Sequence, residues 1–306
     1  MNLKVFSAIV RTLRPGQWVK NLAVFASIIF TGHLFEMDLF IKALLVFVSF
    51  CLLSSASYTL NDIVDASHDK KHPLKKNRPI AKGDLSVALA SRVFFVLAIL
   101  GLVIAAFQSL GVFLICLFFI ILHVFYSFLM KKFALWDIIG ISLSFIIRTL
   151  AGEVATGYHL PIWLMFTVVF LSLFIASGKR RSELITKGST ARPVLERYQK
   201  SLLNFYSSIF AVATLISYSL FTYFSDMEFG GKLAEYLGTD IGHMIVGRKW
   251  LMITILPVIF GIMRYAQLVY SYSEGERPEK LLASDIPLAS SIVSWGSILI
   301  IIIYVI

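Results

Sequence analysis

Residues 39–69 read LFIKALLVFVSFCLLSSASYTLNDIVDASHD. The stretch 39–60 carries a single charge, Lys42, and is long enough to cross a hydrocarbon core of about 30 Å. Its continuation, N61-D-I-V-D-A-S-H-D69, carries three aspartates and an asparagine. An apolar span that runs into an acidic patch indicates a membrane-embedded chain with polar chemistry at one mouth.

The rest of the chain agrees. Of its 306 residues 58% are hydrophobic and 15% are charged, against about 25% charged in soluble domains. Long apolar runs recur, and we place nine spans at about 21–36, 39–60, 86–107, 110–130, 134–156, 161–178, 205–224, 249–271 and 284–306. A soluble fold is excluded. Residues 3–14 put Leu3, Phe6, Val10 and Leu13 on one helical face with Lys4 and Arg11 opposite, so the first twenty residues read as an interfacial helix retained in the mature protein. One transmembrane catalytic domain, 1–306, is expected.

The net charge of +10 could suggest nucleic acid, but the cations lie in short loops between spans, which reads as membrane topology. With the N-terminus inside, 21 Lys and Arg fall on inner segments and 4 on outer ones. The positive-inside rule gives N-in and C-out. Two inner loops, 61–85 and 179–204, are long and four spans apart, hinting at a duplicated four-helix unit plus one helix. The outer segment 225–248, with Gly230, Gly231, Gly238 and Gly242, is expected to cap the outer face. Cys51 and Cys116 sit inside apolar runs and imply no disulfide framework.

On a helix, Asp62, Asp65 and Asp69 lie at i, i+3 and i+7, and Asn61 one turn before Asp65, so all four share a face. Carboxylates crowded in this way repel unless a cation sits among them. Hard oxygen ligands suit Mg²⁺, which commonly bridges a few carboxylates to substrate phosphates. The bland alternative is a solvated helix end balancing nearby lysines. Against it stands the next segment, K70-K-H-P-L-K-K-N-R-P-I-A-K82, whose six cations suit phosphate oxygens or lipid headgroups. Arg78 fits the substrate role; for Lys70 and Lys82 the headgroup reading is at least as good.

After the sixth span comes S177-G-K-R-R-S-E-L184. Lys179 and Glu183 share a helical face flanked by Arg180, while Arg181 points nearly opposite and reads as a headgroup contact. The first three are expected to form the second wall of one polar cavity, although a basic anchor is the simpler reading of the run alone. Arg148, deep in span five, is a functional candidate or the partner of Glu153 or Asp137. Arg264 divides between substrate contact and helix pairing. Lys20 and Asn21 sit at the inner mouth beside Trp18, which reads as a membrane-belt residue. His68 and His72 are spaced i, i+4, but no further zinc ligands accompany them. No Walker or dinucleotide fingerprint occurs.

These residues resemble the UbiA-type membrane prenyltransferase superfamily, and within it the branch of decaprenyl-phosphate phosphoribosyltransferases. The resemblance runs from R14-P-G-Q-W-V-K-N21 through N61-D-x-x-D-x-x-x-D69, H72-P-L-K-K-N-R-P-I-A-K-G83, I147-R-T-L-A-G-E-V-A-T156 and G178-K-R-R-S-E-L184 to M263-R-Y-A266. Aromatic prenyltransferases of the superfamily carry a second D-x-x-x-D where this chain has G-K-R-x-x-E-L. The chain departs from the branch at Arg181, where an aromatic residue is usual, and near Ser67, where an acidic one is.

The resemblance implies nine transmembrane helices around a cytoplasmic-side polar cavity, in a bacterial-type inner membrane. It implies two substrates, 5-phosphoribosyl 1-diphosphate and a polyprenyl phosphate. Asn61, Asp62, Asp65 and Asp69 would hold Mg²⁺ on the diphosphate. Lys20, Asn21, Lys75, Lys76, Arg78, Arg148 and Arg264 would bind substrate, and Lys179, Arg180 and Glu183 would complete the catalytic set. The alternatives are a prenyl diphosphate transferase acting on an aromatic acceptor and, from another class, a transporter of a phosphorylated solute. Apolar helices pack equally well as monomers or trimers, so a homo-oligomer is compatible with the sequence.

Overall fold

The computed structural model describes residues 3–70, 75–187, 198–225, 249–272, 275 and 278–305. The expected outer cap at 225–248 therefore falls, apart from Ser225, outside the described residues, as does His72. All regular structure among the described residues is helical, and eight helices are long and apolar enough to cross a membrane.

The described residues divide into two compact units, the first made of 3–28, 33–70 and 75–159, the second of the others. The first unit opens with α1 (Leu3–Leu13), an amphipathic helix. Its small residue Ala8 packs with Ile80, Leu85 and Ala90, while Leu3, Phe6 and Val10 stay exposed on the other side. That exposed apolar face is the one expected of an interfacial helix.

The predicted first span, 21–36, is not one continuous helix. Residues Pro15–Phe25 wind as a 3-10 helix and pass into the short α2 (Ala26–Phe30), after which the chain turns at Gly32 with φ of 81°. The tight winding is stabilised by tertiary contact. Val24 lies against α7 (Trp136–Thr156) where Gly152 has no side chain, and Ser27 and Thr156 hydrogen-bond at 3.2 Å.

Helix α3 (Met37–Asp69) has 33 residues, and at about 1.5 Å per residue it extends ~50 Å. That exceeds a bilayer core of about 30 Å, so its last turns can stand beyond the hydrocarbon. α5 (Val87–Gln108) packs on α3 with Gly101 against Leu53, where Ser49 Oγ donates to the Gly101 carbonyl at 2.6 Å. α6 (Leu110–Phe128) adds Phe119 edge-on to Phe50 at 4.9 Å. A 3-10 turn, Met130–Lys132, leads to α7. Between α3 and α5 lie a short 3-10 turn, Lys75–Asn77, and α4 (Pro79–Lys82).

The second unit holds α8 (Ile162–Lys187), α9 (Lys200–Phe224), α10 (Ile255–Ser271), the short α11 (Pro278–Ser284) and α12 (Ile286–Tyr304). α8 and α9 pair along their length, with Thr167 donating to Ser217 at 3.1 Å. Phe174, Ile262, Tyr265, Leu268, Val269, Leu281 and Leu288 form one buried apolar cluster of this unit. Each unit thus contains four of the long helices.

Candidate active site

The final turns of α3 are where charge gathers. Asp62 is buried, and its Oδ1 accepts from Arg14 Nη2 at 2.5 Å and from Arg78 Nη1 at 3.0 Å. A buried carboxylate needs such partners, because desolvating an unpaired charge costs several kcal/mol or more. Arg14 reaches Asp62 from a left-handed backbone, φ 53° and ψ 60°, directly before Pro15. That conformation costs a non-glycine residue roughly 1–2 kcal/mol. It turns the chain sharply between α1 and the 3-10 helix and brings the guanidinium over the Tyr58 ring, 5.3 Å from its centre.

Arg78, just ahead of α4, bridges two aspartates: the same Nη1 that meets Asp62 donates to Asp69 Oδ2 at 2.7 Å. Lys131, in the 3-10 turn before α7, donates to Asp65 Oδ1 at 2.5 Å and to Asn61 Oδ1 at 3.3 Å. Lys75 is half-buried and adds positive charge near Asp69, whereas Lys76 is exposed. The four oxygen-bearing residues predicted to hold a metal therefore share one end of α3. Among the described residues no three carboxylate, imidazole or thiol groups converge on one point. Each carboxylate is instead turned to a basic head. The donor set itself, carboxylate and amide oxygens only, fits the chemistry of Mg²⁺.

Higher in the first unit, Asn21 and Arg148 join. Asn21 is fully buried in the 3-10 helix, and its Oδ1 accepts from Arg148 Nε at 2.6 Å and Ser54 Oγ at 3.3 Å. Arg148 also donates to Ser54 Oγ at 3.2 Å and to the Ser144 carbonyl, with Phe119, Phe145 and Phe50 around its guanidinium. The alternative pairing with Glu153 or Asp137 does not occur. Asp137 accepts from Tyr126 at 2.7 Å, and Glu153 lies 3.2 Å from His159 Nδ1. Arg148 is thus a buried cation held by neutral acceptors and aromatic faces. Lys20 is half-buried with Nζ 2.5 Å from Gln17 Oε1. Trp18, expected as a belt residue, is also half-buried, and its indole donates to Ser55 at 3.0 Å.

In the second unit the basic run sits at the end of α8. Arg180 and Glu183 are both buried and hydrogen-bond to one another one turn apart, and Lys179 is half-buried. Arg181 corrects the expectation of a headgroup contact. It is buried, donates to Asn204 Oδ1 at 2.7 Å and to the Val269 carbonyl at 2.6 Å, and stacks over Tyr270. The face of α8 opposite Lys179 is covered by α9 and α10 rather than by lipid, so this arginine fastens three helices. Arg264 resolves toward pairing: two of its nitrogens meet the two oxygens of Asp285 at 3.1 and 2.7 Å, and a third donates to Gln267.

Two members of the first cluster, Arg14 and Lys131, are not singled out as site residues by the sequence: Arg14 opens the R14-P-G-Q-W-V-K-N21 stretch of the resemblance without an assigned role, and Lys131 reads only as positive-inside charge.

The UbiA prenyltransferase family profile matches residues 22–284, a span that contains Asn61–Asp69, Arg148, Lys179–Glu183 and Arg264. The chain belongs to the UbiA family. Among relatives of this UbiA protein, a decaprenyl-phosphate phosphoribosyltransferase from Corynebacterium glutamicum is 33% identical, the match covering 97% of this chain and 86% of the relative. One of the same description from Mycolicibacterium smegmatis is 32% identical over 94% of this chain and 90% of the other. Among solved structures, a UbiA homolog from Archaeoglobus fulgidus bound to GPP and Mg²⁺ has a TM-score of 0.71 at 19% identity, covering 97% of this chain and 99% of that one. That likeness establishes the UbiA fold. Sequence and fold together make the protein a UbiA-type membrane transferase.

Proposed function

We propose that this protein transfers 5-phosphoribose from 5-phosphoribosyl 1-diphosphate to a polyprenyl phosphate, releasing diphosphate. The observation that carries the reading is similarity along nearly the whole chain to relatives described as decaprenyl-phosphate phosphoribosyltransferases. The second charged motif supports it. Where a second aspartate set would serve a prenyl diphosphate, α8 presents Lys179 and the buried Arg180 and Glu183 pair.

Asn61, Asp62, Asp65 and Asp69 would hold Mg²⁺, which when bound neutralises the leaving diphosphate. Lys20, Lys75, Lys76 and Arg78 supply cationic contacts to the diphosphate and the 5-phosphate. Arg148 contributes positive potential from within the helices, tempered by its bonds to Asn21, Ser54 and Ser144. As the C1–O bond to the diphosphate breaks, positive charge develops on the ribose, and an oxygen of the lipid phosphate bonds to C1 from the opposite face. That oxygen is already anionic, so no general base is required. Lys179, Arg180 and Glu183 are assigned to orienting the substrates. The polyprenyl tail stays in the bilayer against apolar helix faces.

The same reading has one catalytic domain in a bacterial-type inner membrane, N-terminus and acidic cluster on the cytoplasmic side and C-terminus outside. An odd number of crossings is then needed, and residues 15–30 can make the ninth. Eleven residues of 3-10 helix at about 2.0 Å each and five of α-helix at about 1.5 Å each extend ~30 Å.

The test gives membranes containing the protein polyprenyl phosphate, Mg²⁺ and ribose-labelled 5-phosphoribosyl 1-diphosphate, then extracts lipid. Label is expected in the lipid fraction, and Asp62→Asn should lower the rate by about 100-fold or more while folded protein persists. No label in lipid, with both substrates intact, sinks the proposal.

A further inference from the structure

Helix α1 has two apolar faces, and they are used differently. Val5, Ala8 and Ile9 pack into one cluster with Ile80 and Leu85 beside α4 and with Ala66 in the last turns of α3. Leu3, Phe6 and Val10, at i, i+3 and i+7, form a second strip that no part of the first unit covers, and they are 84%, 54% and 38% exposed. Lys4 and Arg11, both exposed, line one edge of that strip. An apolar strip with a cationic edge is the pattern of a helix set in the headgroup boundary of a bilayer, where such a face sinks about 5–10 Å. Ala8 shares its cluster with Ala90, near the start of the spanning helix α5, which puts α1 at that level.

The packed face of α1 covers the segment that carries Arg78. That arginine directly precedes α4, whose Pro79, Ile80 and Ala81 are all buried. The amides of Arg78, Lys82 and Leu85 donate to the carbonyls of Lys75, Arg78 and Pro79 at 2.9, 2.8 and 3.1 Å. A helix of four residues does not hold by its own hydrogen bonds, so α4 depends on what packs over it. α1 does so through Ala8, and Arg11 Nη2 meets Asp84 Oδ2 just beyond α4 at 3.1 Å. At its other end α1 runs into Arg14, with the Leu13 carbonyl accepting from Ser55 Oγ at 3.1 Å. Two guanidinium groups of the acidic cluster thus hang from one helix, Arg14 through the chain and Arg78 through packing.

We propose that α1 docks on the lipid headgroup boundary through Leu3, Phe6 and Val10 and, anchored there, is the positioning element of the donor site. Membrane contact presses α1 onto α4, and α4 holds Arg78 to Asp62 and Asp69. Arg11 is then a positioning residue, acting through Asp84 without touching substrate. The inference rests on the phosphoribosyl reading only for the identity of the donor whose binding it controls.

Full-length protein in vesicles of phosphatidylethanolamine and phosphatidylglycerol tests the contact and the link separately. A fluorophore on Phe6→Cys should be quenched severalfold more by brominated lipid than one on Lys4→Cys. Equal quenching, or a Phe6 position kept from lipid by water or by a second copy of the chain, overturns the docking surface. For the link, hydrogen exchange at the amides of Arg78, Lys82 and Leu85 should rise about tenfold in the double variant Phe6→Ser, Val10→Ser and in Arg11→Gln, with the amides of α5 and α6 unchanged. Arg11→Gln leaves the apolar strip intact, so quenching at position 6 should persist while the segment loosens, and Arg11→Lys, which keeps a charge for Asp84, should restore slow exchange. Exchange unchanged in both variants overturns the link; so does a rise spread evenly over α5 and α6, which is what a merely structural helix would give. In the transfer assay the same variants should raise the KM for 5-phosphoribosyl 1-diphosphate about tenfold and leave kcat within about twofold. Wild-type protein that transfers nothing refutes the phosphoribosyl reading, and quenching and exchange then decide this inference alone.

Discussion

At the scale of single residues, Asp285 shows how a charge near a helix end is used twice. Its Oδ1 caps α12 by accepting from the Leu288 amide at 2.9 Å, and both oxygens meet Arg264. Hydrogen bonding to Arg264 holds this carboxyl below the usual aspartate range, aided by the Leu288 amide. A carboxyl whose pKa is depressed in the folded state stabilises the fold above the unfolded value of about 3.9, and that contribution is lost as pH falls through the lower folded value. Asp285→Asn should therefore lower the melting temperature at pH 7, and the gap to wild type should narrow as the pH is taken below 4. An equal gap at both ends would refute the linkage. Arg181 makes a complementary point about what spacing conveys. The helical wheel rightly separates it from Lys179 and Glu183, but a wheel cannot say whether the opposite side meets lipid or another helix. Here it meets Asn204 and the Val269 carbonyl.

At the scale of elements, the decisive contact is between α7 and the 3-10 helix. A Cβ placed on Gly152 would lie 2.0 Å from the Val24 carbonyl oxygen, with backbone rather than a flexible side chain in the way. Gly152→Ala must push the two elements apart, and overpacking of this kind costs typically 1–3 kcal/mol. The expected result is a lower melting temperature in detergent; a value equal to wild type would show that the contact yields without cost. The position and apolar character of the long helices were readable because hydropathy follows composition, and the acidic face of α3 was readable because helical spacing is regular. The winding of residues 15–30 was not. Hydropathy does not distinguish an α-helix from a 3-10 helix, and the reason for the tighter form lies in α7, more than a hundred residues along the chain. Lys131 was hidden for the same reason: it is 66 residues from Asp65, to which it bonds.

At the scale of the whole molecule, orientation is the property most open to direct measurement. Both native cysteines are buried, so single added cysteines can be labelled against a low background. With the proposed topology, Lys76→Cys should react with a membrane-impermeant maleimide only when the cytoplasmic side is presented, and Lys249→Cys only when the outer side is; both positions are exposed. The reverse pattern would invert the assignment drawn from the cation distribution. The bond between Arg148 and Asn21 also sets an order in time. The two residues are 127 positions apart, and a ribosome adding about 5–20 residues per second needs roughly 6–25 seconds to make the second after the first. During that interval the Asn21 amide, fully buried in the finished protein, has no guanidinium to meet it. The amino-terminal segment must wait at the water interface or lean on a temporary partner, so the oldest part of the chain is among the last to settle.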